Sequence, residues 1–177
     1  MNKYQTLTQT ELINRCLKND RKAQRALYER FGPKMKMICL RYLIDKEMAE
    51  DALNRGFLKV FTKLDSFTGT GNFEGWMRKI FVNECLDANK VHKPSYSIAE
   101  ETFLHDDAFN MTESKHETDY ILRIIDSLPL GYKTVFNMVE IDGFNHKEVG
   151  ERLQITESAS RSQLAKAKSI LRKKLSN

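Results

Sequence analysis

Cysteine, histidine clusters and long apolar runs are all scarce in this sequence. Cys16, Cys39 and Cys85 are spread over 177 residues, with no CxxC pair and no histidines grouped beside them. Three cysteines cannot all pair within one chain, so a disulfide framework is not expected. The spacing predicts buried thiols in a reducing cytosol. His92, His105, His116 and His146 are scattered, and no pair of acids has the spacing of a metal or acid–base site. A Walker A loop, an HExxH motif and a nucleophile elbow are all missing. The expectation is a protein that is not an enzyme, with no catalytic residue, no metal and no cofactor. No stretch approaches the ~18 apolar residues of a membrane span, so membrane insertion is not expected. The opening MNKYQTLTQTELINR lacks the apolar segment of a signal peptide. The cytoplasm is the expected location. Period-two runs of β-branched residues are absent, which argues against strands.

What is present is apolar residue at helical spacing and an excess of positive charge. Apolar residues make up 41% and charged residues 30%, enough for a packed core in one ordinary domain or two small ones. The formal net charge is +5 and the pI about 9.0. That balance fits an acidic partner such as nucleic acid, and also fits many soluble proteins without one.

The periodicity predicts an all-α protein. Leu12, Ile13, Cys16 and Leu17 mark a short helix over 10–18. Asp20 is a cap for the next helix, which carries Ala23, Leu27 and Phe31. Gly32-Pro33 is expected to interrupt it before KMKMICLRYL restarts. Asp45 can cap a longer helix over 46–64, with Ala49, Leu53, Phe57, Val60 and Leu64 near one stripe. Gly56 inside that helix costs about 1 kcal/mol of propensity, which close helix packing would explain. FTGTGN at 67–72 reads as a loop with Asn72 as cap. Phe73, Trp76, Met77 and Ile80 then recur at helical spacing, which places Trp76 with the core. Residues 94–117 read as an acidic linker between a domain at 1–93 and another at 118–177. The acids of that linker would keep two basic domains from binding nucleic acid alone. In the second domain, helices are expected at 118–127, 131–141, 146–153 and 157–174.

The joint LQIT at 153–156 separates the last two. Asn145 and Glu148 have capping-box spacing, and Thr156 can cap the final helix. Val149, Leu153, Ile155, Leu164, Ala167, Ile170 and Leu171 supply the inner face. Two helices with so short a joint suit a helix-turn-helix, whose second helix lies in the DNA major groove. Ser158, Arg161, Ser162, Ala165 and Lys166 fall on its outward side. Arg161 can donate two hydrogen bonds to guanine, and Lys166 and Lys168 can meet phosphates or base edges. From 161 to 174 there are six basic residues and no acid. A solvated helix end favoured by the helix dipole would carry the same charge run.

These segments together resemble the bacterial RNA polymerase sigma-70 family, and within it the small extracytoplasmic-function (ECF) class. The resemblance runs through DKEMAEDALNRGFLKVFTKLDSF at 45–67, GNFEGWMRKIFVNECLDANK at 71–90 and the stretch 127–175. No segment is long enough for the family's intervening region 3 domain or for an N-terminal inhibitory region, which favours the ECF class. The resemblance implies that the first domain (region 2) binds core polymerase and opens the −10 element. It implies that the last (region 4) reads the −35 element, and that an anti-sigma factor is a partner. Asp51, Asn54 and Phe57 match a family pattern in which glutamine is usual at Asn54 and an acid at Arg55. Glu50, Asp51, Asn54 and Arg55 are the implied polymerase contacts, with Phe57 in the core. Phe67, Asn83 and Asp87 resemble −10 positions, where Lys79, Lys90 and Lys93 would serve the strand backbone. Arg161, Ser162, Ala165 and Lys166 resemble −35 positions. Gly150 stands where alanine is usual and Gln154 where glycine is usual. The competing readings are an ordinary helix-turn-helix regulator and a sigma-like polymerase-binding regulator without initiation activity.

Overall fold

Side-chain caps set where most of the helices begin. The computed structural model describes residues 4, 6–69, 71–92 and 116–176, and none of these is in a strand. Thr8 and Glu11 form a reciprocal capping box that opens α1 (Gln9–Leu17). Asp20 Oδ1 accepts from the amides of Lys22 and Ala23 at 2.9 and 3.2 Å and starts α2 (Arg21–Tyr42). Asp45 accepts from the Met48 amide and starts α3 (Lys46–Thr62). A 3-10 turn over Leu64–Ser66 follows, and Asn72 Oδ1 caps α4 (Phe73–His92). Each cap satisfies backbone donors that have no partner inside the helix.

The described residues divide into two units, one holding α1–α4 and the other the helices from residue 116 onward. The linker expected over 94–117, its acids and Lys93 lie outside the described residues, apart from the first turn of α5 at 116–117.

In the first unit α2, α3 and α4 pack on one another and α1 lies against α2. Leu12, Leu27, Met35, Leu43, Leu64, Phe73, Met77, Phe81 and Leu86 are buried essentially completely. Each such side chain contributes roughly 1.5–3 kcal/mol. Gly32-Pro33 does not break α2, contrary to the sequence expectation: the helix runs through Pro33. Its buried stripe continues from Ala23, Leu27 and Phe31 to Met35, Ile38 and Tyr42. That burial outweighs the roughly 3 kcal/mol a mid-helix proline costs. Gly32 also lacks the Cβ that clashes with a following proline ring.

Helices α3 and α4 approach closely at Gly56. A Cβ at Gly56 would lie 2.9 Å from Cζ of Phe81 and closer still to two other ring carbons. Phe81 is fully buried and packs edge-on to Phe57, with ring centroids 5.1 Å apart.

In the second unit α5 (His116–Asp126) packs on the last helix, where Ile124, Leu128, Ala167 and Leu171 form a small core. After Pro129, α6 (Leu130–Phe136) widens into a π turn over Asn137–Ile141. There the Asp142 amide donates to Asn137 O at 2.9 Å. The wider turn replaces the even helix expected over 131–141 and buries Thr134, Val135, Asn137 and Met138 together. α7 (His146–Leu153) opens on the Asn145–Glu148 capping box, and α8 (Glu157–Leu175) opens on Thr156.

The joint between them closes tightly. Gln154 is left-handed (φ 58°), and its amide and that of Ile155 both donate to Gly150 O. A Cβ at Gly150 would lie 2.8 Å from the Ile155 carbonyl oxygen. The bare position in α7 therefore lets the turn fold back over it. His146 Nδ1 lies 2.9 Å from Oγ of the fully buried Ser160, a second tie between α7 and α8.

Alanine at either glycine would gain about 1 kcal/mol of helix propensity. Overpacking costs typically 1–3 kcal/mol. Gly56→Ala and Gly150→Ala are each expected to be net destabilising, by about 1 kcal/mol, in urea unfolding. A net gain in stability at either position would contradict the packing described.

Candidate protein and nucleic-acid interfaces

The outward face of α3 is set by its pitch. At about 100° per residue, Glu47, Asp51, Asn54 and Leu58 fall in one line, and all are exposed. Glu50 lies on the flank toward α2, where its carboxylate meets Lys36 Nζ at 2.9 Å. Arg55 and Lys59 lie on the flank toward α4. Both are ion-paired with Glu84 of that helix, Arg55 Nε at 3.5 Å and Lys59 through its ammonium. Arg55 also lies 3.8 Å from Asp51.

These pairs differ in weight. The Lys36–Glu50 side chains are both about half exposed, a setting in which ion pairs contribute roughly 0–1 kcal/mol. Glu84 is 4% exposed. A buried carboxylate stripped of its partners costs roughly 3–5 kcal/mol. The Arg55–Glu84–Lys59 group is therefore the one the fold retains. Of the four predicted polymerase contacts, Asp51 and Asn54 are on the outward line, and Glu50 and Arg55 are on its two edges. Phe57 is buried, as expected. Leu58, 64% exposed, was missed by the sequence reading. Its signal was an apolar residue spaced four after Asn54 and seven after Asp51.

On α4, Trp76, Lys79, Asn83, Asp87 and Lys90 share one face, and all are half-buried. Phe67 precedes the helix and completes an aromatic group at its start. Its ring centroid is 5.0 Å from Phe73 and 5.6 Å from Trp76, and Trp76 stacks on Phe73 at 5.6 Å and 19°. Trp76 is thus packed on the core through one side while the other joins the Lys79–Lys90 face, a dual placement that periodicity alone assigned wholly to the core. Half-exposed aromatic rings beside cationic side chains can stack an unpaired base and hold its phosphates.

On α8, Ser158, Ser162, Ala165 and Lys166 are exposed on the outward side, with Arg161 at its edge. Arg161 is held to Glu157 one turn earlier by an exposed ion pair, which is weak enough to exchange for a base. Lys166 Nζ lies 6.0 Å from the Tyr132 ring centroid. Lys168 is on the inner flank, 2.8 Å from Glu140 of the π turn. It is grouped with α6 as much as with Arg161. Arg172 and Lys173 are exposed and extend the basic face.

Cys16, Cys39 and Cys85 are free and buried. Burial pushes the Cys16 thiol up to about 11, and the Cys85 thiol is raised by its hydrogen bond with Cys39 and by burial. Among the described residues no group of three His, Cys, Asp or Glu could hold a metal, and no helix is long and apolar enough to cross a membrane.

Comparisons with known proteins follow the same division. The family described as Sigma-70 region 2 matches residues 27–93, and Sigma-70, region 4 matches residues 118–171. The ECF RNA polymerase sigma-E factor of Escherichia coli (strain K12) is 27% identical over 182 residues, covering 96% of this chain and 95% of the relative. That of Haemophilus influenzae is 24% identical over 187 residues, covering 96% of each. The fold is shared with CnrH, solved in complex with the cytosolic domain of CnrY, at a TM-score of 0.53 and 17% identity over 93% of this chain and 95% of that one. It is shared equally with the sigma factor RpoE of Bartonella quintana, solved in complex with the anti-sigma factor NepR, at a TM-score of 0.53 and 15% identity over 86% and 96%. With the two regions matched in order over more than half its length, and ECF relatives aligned from end to end, this chain belongs to the bacterial RNA polymerase sigma-70 family, in its ECF class.

Proposed function

We propose that this protein is an initiation factor that docks on core polymerase through α3, captures the melted −10 strand on α4 and grips the −35 duplex with α8. The ordered pair of region 2 and region 4 on one chain carries this reading. Polymerase makes the phosphodiester bonds, and this chain supplies recognition and no catalysis. The protein works in the cytoplasm, where polymerase and promoter are.

The energetics are those of binding. Unstacking DNA costs roughly a few kcal/mol per step. One flipped base stacked on an aromatic ring returns about 1–3 kcal/mol. Phe67 and Trp76 beside Lys79, Asn83, Asp87 and Lys90 are placed to provide that return, with no ATP required. Duplex recognition by Arg161, Ser162, Ala165 and Lys166 fixes the register. The basic face of α8 makes that binding salt-dependent. Two solved relatives of this fold are held in complexes, one with an anti-sigma factor. By analogy an anti-sigma factor is the proposed restraint on this chain.

The reading of a sigma-like regulator without initiation activity draws on the departures at Asn54, Arg55, Gly150 and Gln154. The local geometry absorbs three of them. Gly150 and the left-handed Gln154 close the turn together, and Arg55 is paired with Glu84. An ordinary helix-turn-helix regulator would leave the α3 and α4 faces without a role.

Three substitutions separate the faces. Asp51→Lys should weaken binding to core polymerase by about tenfold or more in a pull-down or anisotropy titration. Unchanged affinity of the folded variant would reject α3 as the docking helix. Lys166→Ala should weaken −35 duplex binding severalfold and reduce the salt slope by about one. Asn83→Ala should reduce permanganate reactivity of the −10 region while duplex binding holds; unchanged opening and unchanged −10 preference would remove Asn83 from the site.

A further inference from the structure

Glu84 is an unusual residue to find between two helices that work on different partners. It is 4% exposed, it belongs to α4, and both of its ion-pair partners belong to α3. Arg55 and Lys59 are one turn apart on the α4 flank of α3, so one carboxylate holds both. Arg55 sits one turn from Asp51 and already reaches within 3.8 Å of it.

The outward line beside it has a definite character. Its first part is acidic, with Glu47 and Asp51 and with Glu50 on the edge, and Asn54 follows. It ends on Leu58, 64% exposed. A cation swinging over Asp51 would cancel the acidic half and repel a basic partner. Arg55 is shared between the two carboxylates, 3.5 Å from Glu84 and 3.8 Å from Asp51, and the burial of Glu84 makes the first of these pairings the harder to give up. Glu50 on the other flank has only an exposed pair with Lys36 and can leave it freely.

We infer that Glu84 is a positioning residue that ties Arg55 and Lys59 to α4, so that α3 presents an acidic-to-apolar line of Glu47, Asp51, Asn54 and Leu58 to a basic, partly apolar surface of core polymerase. This inference rests on α3 being the docking helix. Arg55 is then a strut between α3 and α4 and not a contact.

The test is the affinity of the full-length protein for core polymerase from its own host, at low salt, with folding checked by circular dichroism. Arg55→Gln should bind up to about threefold more tightly, because a cation beside Asp51 is removed. Glu84→Gln releases Arg55 and should bind about tenfold more weakly. Adding Arg55→Gln to Glu84→Gln should restore affinity to within about threefold of the unmodified protein. Leu58→Ser should weaken binding with no change in salt dependence. A purely structural Glu84 would give a double variant no better than Glu84→Gln. That result would overturn the inference, as would a tenfold loss in Arg55→Gln alone, which would make Arg55 a direct contact. Should Glu84→Gln fail to fold, the direction of the Arg55→Gln effect decides between the same two outcomes. Unchanged binding by Asp51→Lys would instead reject the docking helix itself, a separate failure that removes the inference with it.

Discussion

Glycine at position 56 lets the ring of Phe81 lie against the backbone of α3, and both outward faces of the first unit depend on that approach. It brings α4 close enough for Glu84 to reach Arg55 and Lys59 on the neighbouring helix. The apolar contact and the ion group reinforce each other. The first removes water from the seam, and the drier seam raises the cost of separating the charges. The line of Asp51 and Asn54 on α3 and the face of Lys79, Asn83 and Asp87 on α4 are thereby held in a fixed relation within one unit. In the proposed reading, docking on a protein and capture of a DNA strand fall to adjacent helices that cannot shift independently without disturbing a buried charge.

The second unit solves a related problem with backbone geometry. A helix-turn-helix pair needs a defined angle between its helices, and here the angle depends on a turn that folds over a bare helix position. Gly150 admits the Ile155 carbonyl, and Gln154 takes the left-handed conformation at a cost of about 1 kcal/mol. The buried Ser160 and His146 add a polar tie at the same corner.

Much of this was legible in the sequence because capping chemistry is local. Asp20, Asp45, Asn72, Asn145 and Thr156 all cap the helices expected of them, since a side chain needs only the amides two or three residues ahead. The misreadings share a different cause. Pro33 looks like a break until the continuous buried stripe on either side of it is counted. The π turn at 137–141 reads as ordinary helix, because what widens it is packing. The pairing of Glu84 leaves no local pattern, because its partner cations come 25 and 29 positions earlier. Leu58 is an apolar residue among apolar residues until burial shows that it alone of its neighbours Phe57, Val60 and Leu64 faces outward. Local rules found the elements, and the long-range pairing decided which side chains are left for a partner.

The central claim is that this chain converts core polymerase into a promoter-specific enzyme. The most direct measurement is reconstituted transcription with core polymerase from the host and a pool of promoter fragments. The account predicts start sites that appear with this protein and not without it, with a shared −35 and −10 pattern upstream of them. Core polymerase that binds the folded protein yet produces no new start site on any fragment would contradict it.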